Sequence, residues 1–300
     1  MLAQRMKDTL SIVGAGRAGR GLGRVLHDLG WKIQVVADRN LTKARAAVRA
    51  IGAGMPADEL NRQMLESAVV LITTQDGRIE NVAKELAEIG GQEWHGKIVL
   101  HTSGGLDSSV LKPLADLGAA TGSVHPMQTF GEQRPPELAG RMFGIEGSPA
   151  ALKVSRKMVR QMGGVAVRLS GTNKAAYHSS AVFACGHVLS LMETAIRLLM
   201  AQGFTRRQAV RALVPMTRQT LDNFESLGAR AAWTGPIARG DYATMQRHVK
   251  ALEDFPPEYL DAYRALARLA AVVVSAEPDA TKRQLDNLFG IGTERTKKSA

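Results

Sequence analysis

The sequence predicts an α/β region built on a mostly parallel, doubly wound sheet, followed by an all-α region. Three observations carry this prediction. Short apolar, β-rich runs alternate with helical periods through the first half of the chain, the pattern of parallel strands joined by crossover helices. From about Gly171 the strand signals stop and long helical periods take over. A glycine-rich turn joins the first strand to the first helix.

The elements read in order as follows. "TLSIVG" is a strand, and Arg17 to Leu29 is helical. "KIQVVA" is the next strand, followed by the helical "LTKARAAVRAIG". "AVVLITT" is a third strand, followed by the helix "GRIENVAKELAEIG". "KIVLHTSG" and "ATGSVHP" add two strands, and "RMFGIEG", a helix from Ala150 to Met162 and "GVAVRLS" extend the sheet. After a boundary near Leu169 to Thr172, "NKAAYHSSAVFACGHVLSLMETAIRLLMAQG" is one long helix ending at Gly203. "TRRQAVRALVPMTRQTLDNFESLG" is helical with a kink or break at Pro215. "GDYATMQRHVKALED" and "PEYLDAYRALARLAAVVVSA" complete the helical part. The expected domains are residues 1–170 and 171–300.

Composition narrows the function classes. Of 300 residues, 45% are hydrophobic, enough for a sizeable core, and only 5% are aromatic, too few for a base-stacking platform. The net charge is +11, but the basic residues are spread along the chain apart from the tail "TERTKKSA", so nucleic-acid binding is not expected. Cys185 is the single cysteine, which gives no disulfide framework and no cysteine metal cluster and fits a cytoplasmic protein. "MLAQRMKDTL" is too short and polar for a signal peptide. The apolar stretch "AVFACGHVLSLMETAIRLLMAQG" carries His187, Glu193 and Arg197 and reads as a buried helix rather than a membrane span. No metal-ligand spacing stands out.

The sharpest motif is "SIVGAGRAGRGLG". Gly14, Gly16 and Gly19 form G-x-G-x-x-G after a strand and at the opening of a helix, the context of a Rossmann dinucleotide-binding domain. Gly14 permits the tight turn, Gly16 lets backbone amides approach a pyrophosphate, and Gly19 lets the helix pack against the strand. Ala15, Arg17 and Ala18 complete the loop, whose helix N-terminus faces the phosphate charge. The second strand ends "VVADRN". Asp38 there suits the ribose hydroxyls of NAD, and Arg39, with Lys43 close behind, suits the 2′-phosphate of NADP. NADP(H) is favoured over NAD(H), and a ligand-free glycine turn is the competing reading.

Three further strand ends should line the same cleft, because ligands bind beyond the carboxyl ends of strands in open α/β sheets. They are Thr73 to Asp76, Thr102 to Gly104, and His125 to Phe130. Thr74 and Thr102 are expected beside the cofactor. Ser103 is placed to bond a substrate oxygen and His125 to exchange a proton; a loop cap and a structural turn before Pro126 are the plainer alternatives. On the long helix, Lys174 and His178 are four apart on one face, and Tyr177 borders it. Lys174 is placed to protonate or polarise a carbonyl and His178 to orient it, with a solvated lysine and a packed histidine as the alternative. In "WTGPIARGDYATMQRH", Asp241 can cap the next helix, and Arg239 can bind a substrate carboxylate or pair with Asp241.

The segments "GAGRAG", "TTQDGRI", "HTSGG", "SVHPMQTF", "NKAAYHSSAVFACGH" and "TGPIARGD", in this order over residues 8 to 270, resemble a bacterial family of proposed NADP oxidoreductases. Its members pair a Rossmann-like domain with a helical domain of unknown function, within the 6-phosphogluconate dehydrogenase-like superfamily and near pyrroline-5-carboxylate reductase. The resemblance implies more. "SGG" at Ser103 to Gly105 is similar to a segment of β-hydroxyacid dehydrogenases. Lys174 matches their helix lysine, whereas His178 stands where they carry asparagine. His125-Pro126 is similar to a segment of prephenate dehydrogenases and implies a catalytic role for His125.

Together these readings predict an NADP(H)-dependent oxidoreductase acting on a small keto, imino or hydroxy acid held between the domains. Lys174 or His125 would handle the proton, His178 and Ser103 would position substrate, and Tyr177 and Arg239 would bind it. A prephenate dehydrogenase-like enzyme and a non-catalytic NADP(H) sensor are the alternatives. The resemblance also implies a homodimer, with "LSLMETAIRLLMA" and "LARLAAVVVSA" as candidate interface.

Overall fold

The computed structural model describes residues 8–132, 135–170 and 173–291. The expected boundary residues Gly171 and Thr172 and the basic tail 293–300 lie outside them. The chain divides into two compact units, Met1–His187 and Val188–Ala300. The division falls inside the long helix, so Lys174, Tyr177 and His178 belong to the first unit.

The first unit is built on β1 (Thr9–Val13), β2 (Lys32–Ala37), β3 (Met55–Ala57), β4 (Val69–Ile72), β5 (Ile98–His101), β6 (Ala120–Pro126), β7 (Met142–Gly147) and β8 (Val165–Arg168). They form one sheet in the order β3-β2-β1-β4-β5-β6-β7-β8. Pairing is parallel from β3 to β6; β7 runs antiparallel to β6. The first six strands therefore end on one edge. The short edge strand β3 is not among the predicted strands, because "MPA" carries no alternation and contains a proline.

The central strands are apolar on both faces, as helices on both sides require. Leu10, Ile12, Val69 and Leu71 join one core, and Val13, Val70, Ile72 and Val99 join the other. Helices α1 (Arg17–Asp28), α2 (Leu41–Ile51), α3 (Asp76–Gly90), the short α4 (Lys112–Ala115) and α5 (Pro149–Gln161) cover these faces. Helix α6 (Lys174–Val182) follows β8 and leads into a π-helical turn, Phe183–His187.

The second unit, taken by itself, holds α7 (Val188–Ala201), α8 (Arg206–Leu227), the single turn α9 (Ala229–Ala232), α10 (Tyr242–Leu252), α11 (Pro257–Val273) and α12 (Pro278–Leu288). Its core is small, centred on Met245, Ala267, Ala271, Leu285 and Phe289. Two expectations are corrected here. Helix α8 continues through Pro215; a capping box of Thr205 with Gln208 and a length of 22 residues offset the lost backbone bond. The apolar long helix is not buried: in α7 only Ile196 is, while Leu189 is 70% exposed. Residues Lys174–Ala201 are long and apolar enough to cross a membrane by length and composition.

The glycine loop sits where the strand order reverses, with β2 on one side of β1 and β4 on the other. Gly14 has φ +106°, and its N–H donates to the Ala37 carbonyl at 2.7 Å. Gly19 faces the Gly14 carbonyl and Thr73; a Cβ there would overlap the carbonyl oxygen and lie 2.5 Å from Thr73 Oγ1. A Cβ on Gly16 would meet nothing within 4 Å. Gly19→Ala is therefore expected to cost about 2 kcal/mol by overpacking, lowering Tm by about 5 °C, whereas Gly16→Ala leaves Tm unchanged. Thermal unfolding of both variants checks this; equal Tm values would contradict it.

Candidate functional site

Two groups of residues stand at the carboxyl edge of the sheet. The first is a cavity of about 500 Å3 lined by Gly14, Gly16, Asp38, Arg39, Lys43 and Thr74, among others. Asp38 is turned into the glycine loop. Its Oδ2 accepts from the Ala15 N–H at 3.1 Å and its Oδ1 from the Asn40 N–H at 3.0 Å. The carboxylate thus braces the loop against the end of β2, while the cations of Arg39, Lys43 and Arg78 line the same cavity. Two observations fit a dinucleotide here. Gly16 presents bare backbone with open space above it, and Thr74 Oγ1 is buried without a partner among the described residues. Of the other loop residues, Arg17 is exposed and paired with Glu132 at 2.8 Å, and Ala18 is half-buried in α1. Thr102 continues the sheet bonding through its N–H to the Ile72 carbonyl at 3.1 Å.

The second group surrounds the loop after β5. His101 anchors it from below. The Ser103 N–H donates to His101 Nδ1 at 3.2 Å, which leaves Nε2 to donate to the Asp107 carbonyl at 3.1 Å. Burial, reinforced by the charge of Lys174, pushes the His101 pKa down to about 4, so the ring is neutral at pH 7. Ser103 closes the turn. Its hydroxyl donates to Asp76 Oδ2 at 2.7 Å and accepts from the N–H groups of Gly105 at 3.1 Å and Leu106 at 3.0 Å. These bonds occupy the lone pairs and the proton of Ser103 within the chain.

Lys174 is bonded within the chain in the same way. It is 5% exposed, and its ammonium donates to the Ser103 carbonyl at 3.0 Å and to Ser123 Oγ at 2.7 Å, with Glu146 Oε1 4.0 Å away. Burial lowers its pKa, and Glu146, Asp107 and Asp76 oppose that shift. The lysine lies beneath the loop as a clamp.

Above the loop stand the two histidines. A Cβ on Gly104 would lie 2.5 Å from His178 Nδ1 and 2.7 Å from His125 Nε2. The rings meet edge to face with centroids 5.5 Å apart. Two imidazole nitrogens therefore converge on Gly104, which lacks a side chain. His125 Nδ1 is 3.0 Å from the Tyr177 hydroxyl, and His178 Nδ1 is buried without a partner among the described residues. Burial, then the neighbouring His178 and Lys174, push the His125 pKa down to about 4, while burial raises that of Tyr177. The pair is neutral at physiological pH, with the tyrosine holding its proton. Arg239 lies in the second unit, where its guanidinium donates to the Thr234 carbonyl and Asp241 caps α10 through the Thr244 N–H at 3.0 Å.

Sequence reasoning brought Lys174, Tyr177 and His178 to one helix face and His125 and Ser103 to strand ends, and these five do cluster. It assigned no role to His101, Asp76, Ser123 or Glu146. Asp76 carried a readable signal, an acid opening a helix directly after a strand. His101 ends the apolar run "KIVLH", and nothing in that run marks it.

Comparisons with known proteins place this geometry. Residues 3–126 match the family described as Rossmann-like domain, and residues 141–270 match a domain of unknown function, DUF2520. A comparison with curated protein sequences found no match. Among solved structures, the chain is similar to a proposed NADP oxidoreductase from Bacteroides fragilis, with 19% identity, TM-score 0.73, and 93% of this chain and 99% of that one covered. It is also similar to a reductive aminase from Aspergillus terreus in complex with NADPH and ethyl levulinate (15% identity, TM-score 0.63, covering 93% and 99%). A pyrroline-5-carboxylate reductase from Coxiella burnetii matches with 15% identity, TM-score 0.55, and 94% and 98% covered. These likenesses establish a shared fold over nearly the whole chain. Residues 3–126 are thus similar to Rossmann-like domains and residues 141–270 to the DUF2520 domain.

Proposed function

We propose that this protein is an NADP(H)-dependent oxidoreductase that reduces a C=N or C=O group of a small molecule, with His125 and Tyr177 as its proton-delivering pair. The observation that carries the reading is the neutral imidazole of His125, backed by a tyrosine hydroxyl and aimed at the bare Gly104. The similar folds of an aminase crystallised with NADPH and of a pyrroline-5-carboxylate reductase support it.

When bound, the nicotinamide supplies the hydride; the protein supplies position and proton. Gly14, Gly16 and the N-terminus of α1 would hold the pyrophosphate, and Arg39 with Lys43 would take the 2′-phosphate. Asp38 is committed to the loop amides, and Asp58, Glu59 and Glu85 line the same cavity as the cations. Tyr177 O–H donates to His125 Nδ1, which puts the ring proton on Nε2, beside Gly104 and His178. A basic nitrogen or oxygen forming there takes the Nε2 proton as the tyrosine proton moves to Nδ1. Lys174, Ser103, Asp76 and His101 are positioning residues that fix the Gly104 loop. A second copy of the chain is the proposed cover for the apolar side chains that α7 and α8 leave exposed.

Calorimetry should show NADPH bound at least tenfold more tightly than NADH, with the preference lost in Arg39→Ala; light scattering on the same samples should give two chains per particle. A preference for NADH would move the adenosine end to Asp38.

With a cyclic imine and NADPH, His125→Asn is expected to lower kcat about 100-fold and Tyr177→Phe about tenfold, with NADPH affinity unchanged in both. Full turnover in His125→Asn would overturn His125 as the proton donor, and NADPH binding without turnover in the unaltered protein would favour the sensor reading.

Stability should also depend on pH. Unfolded histidine takes up a proton near pH 6.5, but folded His101 and His125 resist until about pH 4. The unfolded state binds more protons in that window, so stability falls as pH drops from 6.5 towards 4. Denaturant titrations at pH 7 and pH 5 should show this loss reduced in His125→Asn by on the order of 1 kcal/mol. An undiminished loss would show that His125 is not held neutral.

A further inference from the structure

A second cavity lies at the opposite edge of the sheet. It has a volume of about 810 Å3 and is formed where β4 and β5 begin, at Val69 and Ile98, beside α5. Its floor is apolar, made by Ala68, Val69, Ile98 and Val154. Its walls are cationic. Lys153, Arg156, Lys157 and Arg160 stand at i, i+3, i+4 and i+7 on α5, which puts them on one helical face. All four line the cavity, and Lys97 lines it from the strand side.

This face has no freedom to turn elsewhere. The other face of α5 carries Ala151, Leu152, Met158 and Val159, all buried in the core. Lys157 pairs with Asp8 and rests 5.6 Å from the centroid of the Trp31 ring, and Lys97 donates to the Leu65 carbonyl at 2.5 Å. Among the described residues, Lys153, Arg156 and Arg160 form no ion pair. Among the described residues, no carboxylate lines the cavity. Like charges at this spacing repel, and a basic wall around an apolar floor matches an anion with an apolar body.

We propose that this cavity binds an amphiphilic anion: a carboxylate or phosphate head held by Arg156, Arg160 and Lys153, with its hydrocarbon chain laid along the floor. Guanidinium groups suit both heads, because each presents paired oxygens to a planar fork. The chain supplies what an inorganic anion lacks, apolar surface removed from water. The site is remote from the histidine cluster and independent of the oxidoreductase reading.

The test is calorimetry of the full-length protein with dodecanoate and dodecyl phosphate, and with inorganic phosphate and dodecanol as single-feature controls. Both amphiphiles should bind one per chain, at least tenfold more tightly than either control; the stronger of the two identifies the head. The double variant Arg156→Glu/Arg160→Glu and the cavity-filling Ala150→Trp alter exposed positions. Each should weaken amphiphile binding at least tenfold while Tm stays within a few degrees. Trp31 fluorescence, read beneath Lys157, should shift on binding. Inorganic phosphate binding as tightly as the amphiphiles would reduce the site to a simple anion patch and overturn the proposal. Amphiphile binding unaffected by either variant would place the chain elsewhere on the protein, and no binding at millimolar ligand would also overturn it.

Discussion

The buried ammonium of Lys174 is the constraint on which the rest of the candidate site depends. One side chain from α6 reaches under the β5 loop and bonds both the Ser103 carbonyl and Ser123 of the neighbouring strand. Removing a charge from water is costly unless it is paired and hydrogen-bonded. Glu146 at 4.0 Å and two short hydrogen bonds offset that cost here. The same charge helps keep His101 and His125 neutral. A lysine at this place thus does two things: it fixes the loop, and its charge opposes protonation of the rings around it.

Backbone geometry and side-chain chemistry meet at the two glycine segments. In the first, glycine is needed at Gly14 for a left-handed turn and at Gly19 for close packing, while Gly16 keeps a surface bare. In the second, Gly104 lets two imidazoles pack directly against the backbone. Both segments sit on the carboxyl edge of one parallel sheet, and the sheet alone brings them to the same side. A negative side chain at the end of β2 need not oppose a phosphate, because Asp38 spends both oxygens on backbone amides.

Much of this was legible in the sequence because it rests on local pattern. Strand runs, the glycine spacing and the i, i+4 relation of Lys174 and His178 are short-range signals, and the fold follows from them. What was not legible depends on which way a side chain turns. Ser103 and Lys174 were read as groups facing a substrate, yet one closes a turn and the other lies beneath it. His101 reads as the end of a buried strand, and only its two bonds to the loop reveal its part. The apolar run of α7 suggested burial, but a periodic pattern does not say whether the covering surface lies in the same chain. The basic face of α5 was spread over eight residues and looked like ordinary surface charge until the fold placed an apolar floor opposite it.

The central claim is that His125 is a neutral imidazole carrying its proton on Nε2, with Tyr177 bonded to Nδ1. Nitrogen NMR of histidine-labelled protein, titrated from pH 8 to pH 4, reads both features at once. The account predicts a neutral ring, protonated at Nε2, that persists until the pH approaches 4 and changes tautomer preference in Tyr177→Phe. A ring that becomes an imidazolium near pH 6.5, or one with its proton on Nδ1, would contradict it.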